Sequence, residues 1–238
     1  MNDNMNKNPI TLLRGESKIT ISNEIRLIHG DCMDYLRSLP DNAFDLAVVD
    51  PPTAQKYARG KNGFGVNNNR PTLSDVAWDN VIPSQEYFDE LRRVSRNQII
   101  WCAIYYTHLL PQSKCWIVWD KIGSMNSGSP YADCELAWTS FNKVVRKFTL
   151  RQHGFISDSR DGKRIHPTQK PTELYRWLLE NYADKGDKIL DTHLGSGSSA
   201  IAAYDLGFEF TGIEIDDNYY TKALRRFEAH RGFLKLDI

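Results

Sequence analysis

Lys188-Ile-Leu-Asp191-Thr-His-Leu-Gly195-Ser-Gly197-Ser-Ser-Ala200 is the stretch that decides the fold. Lys188 to Asp191 reads as a short strand. Gly195 and Gly197 permit a tight turn and a close backbone approach to a ligand. Ser198 to Leu206 then reads as a helix, stopped by Gly207. Strand, glycine turn and helix open a βαβ unit, and the next strand, Phe208 to Ile215, completes it with Glu214 at its end.

The same grammar extends outward. Ile25 to His29 is a strand stopped by Gly30-Asp31, and Met33 to Leu39 a short helix closed by Pro40. Phe44 to Val49 is a buried strand that Asp50-Pro51-Pro52 must end, because two prolines cannot continue a central strand. Tyr87 to Val94 reads as a helix; Gln98 to Cys102 and Cys115 to Trp119 read as strands. Glu135 to Thr139 and Lys143 to Leu150 read as a hairpin turned at Phe141-Asn142. Thr172 to Tyr182 has Leu174, Trp177, Leu178 and Tyr182 on one helical face, and Asn218 to His230 is the last helix. Alternating strands and helices predict an α/β, doubly wound, mostly parallel sheet, whose ligands bind beyond the carboxyl ends of the strands. Gly30-Asp31, Asp50, the Asp191–Gly197 loop and Glu214 should therefore converge on one rim.

The chain of 238 residues suits one domain, expected over residues 25–238 after a polar tail, 1–24, without the apolar core of a signal peptide. Residues 54–83, with glycines and asparagines and little periodicity, read as a lid loop. Residues 122–165 read as a short recognition hairpin followed by a basic loop. No apolar run is long enough to span a membrane. Cys32, Cys102, Cys115 and Cys134 lack the spacing of a metal or disulfide framework and read as reduced thiols of a cytoplasmic protein. Acidic and basic residues balance at 30 each, but Phe141 to Lys170 holds eight basic residues against two acidic ones. Such a strip on an acidic body can grip phosphates, or it can be a solvated charged hairpin.

The glycine loop fits G-x-G-x-x-A, and Glu214 can accept both hydrogen bonds of a ribose diol. Nicotinamide and S-adenosylmethionine enzymes share that arrangement. Asp191 tilts the choice to S-adenosylmethionine, since an acid there would repel a pyrophosphate and suits a sulfonium. Asp50-Pro51-Pro52 adds a reaction. The amino group of adenine or cytosine is a poor nucleophile because its lone pair is delocalised into the ring. Two acceptors on its N–H bonds return that lone pair to nitrogen. The Asp50 carboxylate and the Pro51 carbonyl, aimed by rigid prolines, would serve.

Together these stretches resemble the amino-group DNA methyltransferases of the β arrangement, in which the catalytic motif precedes the cofactor loop. The resemblance is carried by Ile28-His-Gly-Asp-Cys-Met33, Leu39 to Pro52, Trp116-Ile-Val-Trp-Asp-Lys121, His166-Pro-Thr-Gln-Lys-Pro171, Ile189 to Gly197 and Gly212-Ile-Glu-Ile215, in the family's order. It implies a seven-stranded S-adenosylmethionine methyltransferase sheet with circularly permuted motifs. Asp50, Pro51, Pro52 and Thr53 would form the catalytic element. Asp31 and Cys32 would meet the adenine of the cofactor, and Glu214 and Ile215 its ribose. Asp191, Thr192, His193, Gly195, Ser196 and Gly197 would hold its methionine part. Thr168, Gln169 and Lys170 would lie along the methionine side, with Lys170 neutralising the cofactor carboxylate. DNA would be the partner, its base flipped out of the stack and its phosphates held by Lys143, Arg146, Lys147, Arg151, Lys163 and Arg164. The resemblance leaves room for a homodimer and for a cognate restriction endonuclease of a restriction-modification pair.

Three departures bear on activity. Thr53 stands where the family has an aromatic residue that stacks on the flipped base, an interaction worth about 1–3 kcal/mol in comparable sites. Tyr57, Phe64 or Trp78 would have to substitute. Thr192-His193 replaces the usual Pro-Phe before the glycine loop. The segment between Lys121 and His166 is short, which predicts a short or relaxed target. Adenine N6 is the favoured acceptor and cytosine N4 the second. A cofactor-binding relative without DNA activity, a methyltransferase of RNA or of a protein amide, and a nicotinamide dehydrogenase stay open as alternatives.

Overall fold

The computed structural model describes residues 18–21, 25–54, 82–125, 132–153 and 156–234. The strands are β1 (Lys18–Ile21), β2 (Ile25–His29), β3 (Phe44–Val49), β4 (Ser95–Trp101), β5 (Trp116–Asp120), β6 (Cys134–Thr139), β7 (Arg146–Thr149), β8 (Gln152–His153), β9 (Ile156–Ser157), β10 (Lys188–Asp191) and β11 (Glu209–Glu214). The helices are α1 (Cys32–Arg37), α2 (Gln85–Val94), α3 (Thr172–Tyr182), α4 (Ser198–Leu206) and α5 (Asp217–Leu234).

Nine strands form one sheet in the order β1-β2-β11-β10-β3-β4-β6-β5-β7. From β2 to β4 every neighbour is parallel, and β6 runs against β4 and β5. The expected α/β class and mostly parallel sheet are present. Alternation along β3 explains the two covering layers. Leu46 and Val48 pack into the core shared with α3, α4 and α5, whereas Ala47 and Val49 face the core shared with α1 and α2. Helix α2 serves the second layer with Tyr87, Phe88, Leu91 and Val94 buried on one face, and Ser84 caps it by accepting the Tyr87 N–H.

Sheet order reverses between β10 and β3: the chain leaves β10 toward β11 on one side and β3 toward β4 on the other. That switch point opens a crevice at the carboxyl ends. β3, which carries Asp50-Pro51-Pro52, lies beside β10, which carries the glycine loop, though about 140 residues separate them.

Three expectations need correction. The sheet has nine strands rather than seven, because β1 and β7 extend its edges. β1 comes from the supposed tail and pairs antiparallel with β2, Lys18 opposite Ile28 and Ile21 opposite Ile25. β6 and β7 do not form a hairpin: β5 lies between them, antiparallel to β6 and parallel to β7. Ile117 and Trp119 of β5 are buried and need a neighbour on each side, while the exposed Arg146 and Lys147 suit an edge. β6 pairs instead with the preceding β5, and β8 and β9 form a separate small antiparallel pair. Of the expected lid, residues 55–81, including Tyr57, Phe64 and Trp78, lie outside the described residues.

Candidate active site

A cavity of about 240 Å³ opens at the switch point. Gly30, Asp31 and Cys32 enter it from the end of β2, and Glu214 and Ile215 from β11. Thr192, His193, Gly195 and Ser196 enter from the loop after β10, Asp50 and Pro52 from β3, and Thr168, Gln169 and Lys170 from the segment before α3. Sequence reasoning did not assign Gly30, His166, Tyr175 and Leu194, which also line it. Pro51, Thr53, Asp191 and Gly197, assigned from sequence, do not.

Asp50 is held tightly. Lys170 Nζ lies 2.5 Å from its Oδ2, and the lysine side chain is only 3 % exposed. Burial raises the Asp50 carboxyl above its ordinary range, and Lys170 draws it partly back. The Lys170 ammonium, expected beside a cofactor carboxylate, pairs with Asp50 and, at 3.3 Å, with Glu135. Burial opposes its charge, but Asp50 and Glu135 outweigh that and keep it protonated. The carbonyls beside Asp50 are fixed as well. Tyr106, fully buried, brings its hydroxyl within 2.7 Å of the Pro51 carbonyl and 2.5 Å of the Pro52 carbonyl. Ala54 and Cys102, with φ of 52° and 56°, flank this element in the left-handed region, strain of the kind found at functional sites.

On the cofactor side, Glu214 accepts the N–H of Gly195 (2.8 Å) and of Asp216 (2.9 Å). These bonds fix the carboxylate and leave lone pairs toward the cavity. Asp31 caps α1 by accepting the Met33 N–H and keeps an exposed side chain at the rim. Burial, with Asp31 nearby, pushes the Cys32 thiol up to about 12, so it presents a neutral wall. Asp191 is 1 % exposed and accepts from Ser199 Oγ (2.6 Å) and the His193 N–H (3.0 Å). It ties the glycine loop to α4, and burial raises its carboxyl to about 7. Gly197, with φ +76°, leaves room for α5: a Cβ there would stand 3.3 Å from Ala223 Cβ. Arg226 of α5 locks the loop from behind, donating to the Ser196 carbonyl and Ser198 Oγ while pairing with Asp161.

Thr192-His193, the polar pair in place of Pro-Phe, is absorbed by partners. Thr192 Oγ1 sits 2.7 Å from Tyr87 Oη and 2.9 Å from His193 Nδ1. The His193 ring meets Tyr87 edge-on at 5.4 Å, and burial drops its pKa to about 4. It therefore acts as a neutral ring at neutral pH. His166 is similar. Burial holds it near 4, it packs edge-on against Tyr219, and it would be 3.7 Å from a Cβ at Gly195.

The basic strip is not one surface. Lys143 sits on the Phe141 and Tyr182 rings and donates to the Asn181 carbonyl at the far end of α3, about 9 Å of helix beyond the cavity-lining Tyr175. Arg146, opposite Ile117 at the start of β5, lies at that same amino edge. Lys147 pairs with Asp120 and Arg151 with Asp158. Arg160, Lys163 and Arg164 are exposed and lead directly into the cavity-lining His166–Lys170. Ser159 and Arg160 are pinned to Glu173 of α3.

An open sheet with a carboxylate-lined cavity at its switch point, beside an Asp-Pro-Pro element, defines a nucleotide-cofactor transferase fold. The DNA methylase family of the N6/N4 methyltransferase type matches residues 53–225, directly after that element, and the chain belongs to it. The type II methyltransferase M2.DpnII of Streptococcus pneumoniae is 23% identical over 253 aligned positions, covering 87% of this chain and 91% of that protein. The putative methylase YubD of Escherichia coli K12 is 23% identical over 219, covering 86% and 90%. Among solved structures, the complex of M1.HpyAVI with S-adenosylmethionine matches with a TM-score of 0.55 and 19% identity, over 85% of this chain and 98% of that one. The cytosine-N4-specific PvuII DNA methyltransferase matches with a TM-score of 0.55 and 12% identity, over 88% and 90%. These structural likenesses establish the fold.

Proposed function

We propose that this member of the DNA methylase family transfers a methyl group from S-adenosylmethionine to the exocyclic amino group of a flipped base in DNA. Adenine N6 is the favoured acceptor and cytosine N4 the second. The reading is supported by Asp50 lining the same cavity as Glu214 and the glycine-loop residues Gly195 and Ser196. The residues present fit the cofactor: Asp31 and Glu214 are acceptors suited to a ribose and an adenine edge, and the Lys170 cation that could have served a pyrophosphate is already paired. When bound, S-adenosylmethionine supplies a methyl group activated by a sulfonium. The chain supplies the other half. Asp50 and the Pro51 carbonyl accept the two N–H bonds of the amino group and so localise its lone pair on nitrogen. Tyr106 fixes the carbonyl's direction, and Asp50 is placed to take the proton that the methylated nitrogen sheds. Arg160, Lys163 and Arg164 supply phosphate contacts near the cavity.

Cofactor choice is tested by thermal shift. S-adenosylhomocysteine should raise the melting temperature of the protein and of Asp50→Ala, and NAD should raise neither. Stabilisation by NAD alone would refute the reading.

A further inference from the structure

Behind Asp50 lies a file of charges in which Lys170 is buried and Glu135 and Lys121 are partly exposed. Lys170 Nζ touches Asp50 Oδ2 at 2.5 Å and Glu135 Oε2 at 3.3 Å, and Lys121 Nζ donates to Glu135 Oε1 at 3.1 Å. The signs alternate from the cavity inward: Asp50, Lys170, Glu135, Lys121. Lys170 also stands 5.5 Å over the ring of the fully buried Trp101. Glu135 comes from β6, the one antiparallel strand in the middle of the sheet, and belongs to none of the stretches that carry the family resemblance. Buried ion pairs are poor stabilisers, because apolar side chains of similar volume fill such space at less cost. Three charges in file behind one carboxylate, with Lys170 buried between two acids, therefore need a reason other than stability.

We propose that Glu135 and Lys170 are positioning residues that form a charge relay with Asp50, anchoring one of its carboxylate oxygens and setting the pH range in which it is ionised. The function assigned to this relay rests on the reading of Asp50 as the acceptor for a base amino group. Lys170 holds Oδ2, so the carboxylate cannot swing, and its cavity side is left as the acceptor. Glu135 draws the ammonium back, so that Lys170 does not quench Asp50 outright. The groups that face Asp50 are Lys170 ahead of α3, Tyr175 on α3, Glu135 on β6, Cys102 after β4 and Asp191 on β10. Burial keeps Cys102 and Tyr175 neutral. Burial disfavours charge on Glu135 too, but Lys170 and Lys121 outweigh it and hold that carboxyl below its ordinary range. Around Asp50, Lys170 lowers the carboxyl and Glu135 raises it.

The two neighbours therefore act in opposite directions on Asp50, and the titration of Asp50 together with the acidic limb of kcat reads whether that opposition reaches the reaction. The experiment is a carbon-13 carboxyl NMR titration of Asp50 in the full chain, assigned with Asp50→Asn. Glu135→Gln should lower the Asp50 midpoint and Lys170→Met should raise it, each by roughly one pH unit or more. The double variant should fall between them. The acidic limb of kcat on DNA should move in the same order. Glu135→Gln is isosteric and decides the matter even where Lys170→Met folds poorly. An unmoved midpoint in Glu135→Gln, or an upward one, would overturn the relay. Titration in the expected order without methyl transfer to any DNA would leave the relay standing and refute the functional reading instead.

Discussion

Tyr106 belongs to no sequence motif, yet its hydroxyl holds the carbonyls of both Pro51 and Pro52. One of those carbonyls is an assigned acceptor for the base amino group. Tyr106→Phe keeps the ring against Phe88 and removes only the donor. It should lower kcat roughly ten- to a hundred-fold through misplacement of the acceptor and leave S-adenosylhomocysteine binding unchanged. An unaltered kcat at saturating DNA would show that the prolines alone aim the carbonyl. Motif residues such as Asp50, Gly195 and Glu214 were legible because a proline pair, a glycine turn and a strand-end acid each announce themselves locally. Tyr106 and Glu135 were not, and His166, visible within its motif, carried no assigned role. They reach the site from a loop, a neighbouring segment and an antiparallel strand, and only the sheet order brings them together. The partners of Asp191 were hidden for a related reason: its place in the motif is visible in sequence, but the direction of its side chain, toward Ser199, is not.

At the scale of elements, the basic segment was read as one strip because its residues are contiguous. The crossover past β5 divides it. Lys143 and Arg146 are left at the amino edge of the sheet, and Arg160, Lys163 and Arg164 stand beside the cavity. Converting Arg160, Lys163 and Arg164 to Ala should flatten the salt dependence of DNA binding by about 0.9 in slope for each phosphate that is no longer neutralised. Converting Lys143 and Arg146 to Ala should leave the slope as it was. The reverse pattern would place DNA on the opposite edge and separate it from Asp50. Strands and helices with clear periodicity, such as α3, β10 and α4, were legible to the residue. Their pairing was less so, since an apolar strand such as β5 does not state which two partners will cover its edges.

For the whole molecule, buried groups pull stability in mild acid in two directions. His166 and His193 are held near 4 in the fold against an ordinary 6.5, so between those values the unfolded chain binds protons that the fold refuses, and each contributes stability that rises with pH. Asp191, raised to about 7 from 3.8, and Asp50 and Glu214, raised by burial as well, work the other way and keep protons that the unfolded chain gives up. Melting temperatures from about pH 4 to 6.5, taken as differences from the natural chain, separate the two sets. His193→Gln should make the dependence on rising pH less positive and Asp191→Asn more positive; a His193→Gln difference that does not change over that range would contradict the assignment of a buried neutral histidine. The doubly wound class and the converging rim were legible from strand ends alone. Of the two edge strands, β1 was not, because a short strand resembles a tail until a partner edge is in place, whereas β7 was visible as a strand but not its place at the edge.

The central claim, that Asp50 at the switch point methylates a DNA amino group, is tested most directly by nucleoside mass spectrometry. DNA from cells that lack endogenous methylation and express this chain is digested, and N6-methyladenine and N4-methylcytosine are quantified against cells expressing Asp50→Ala. One methylated base, present with the natural chain and absent with the variant, is the predicted result, with N6-methyladenine favoured. Neither base above background, from a folded protein that S-adenosylhomocysteine still stabilises, would contradict it.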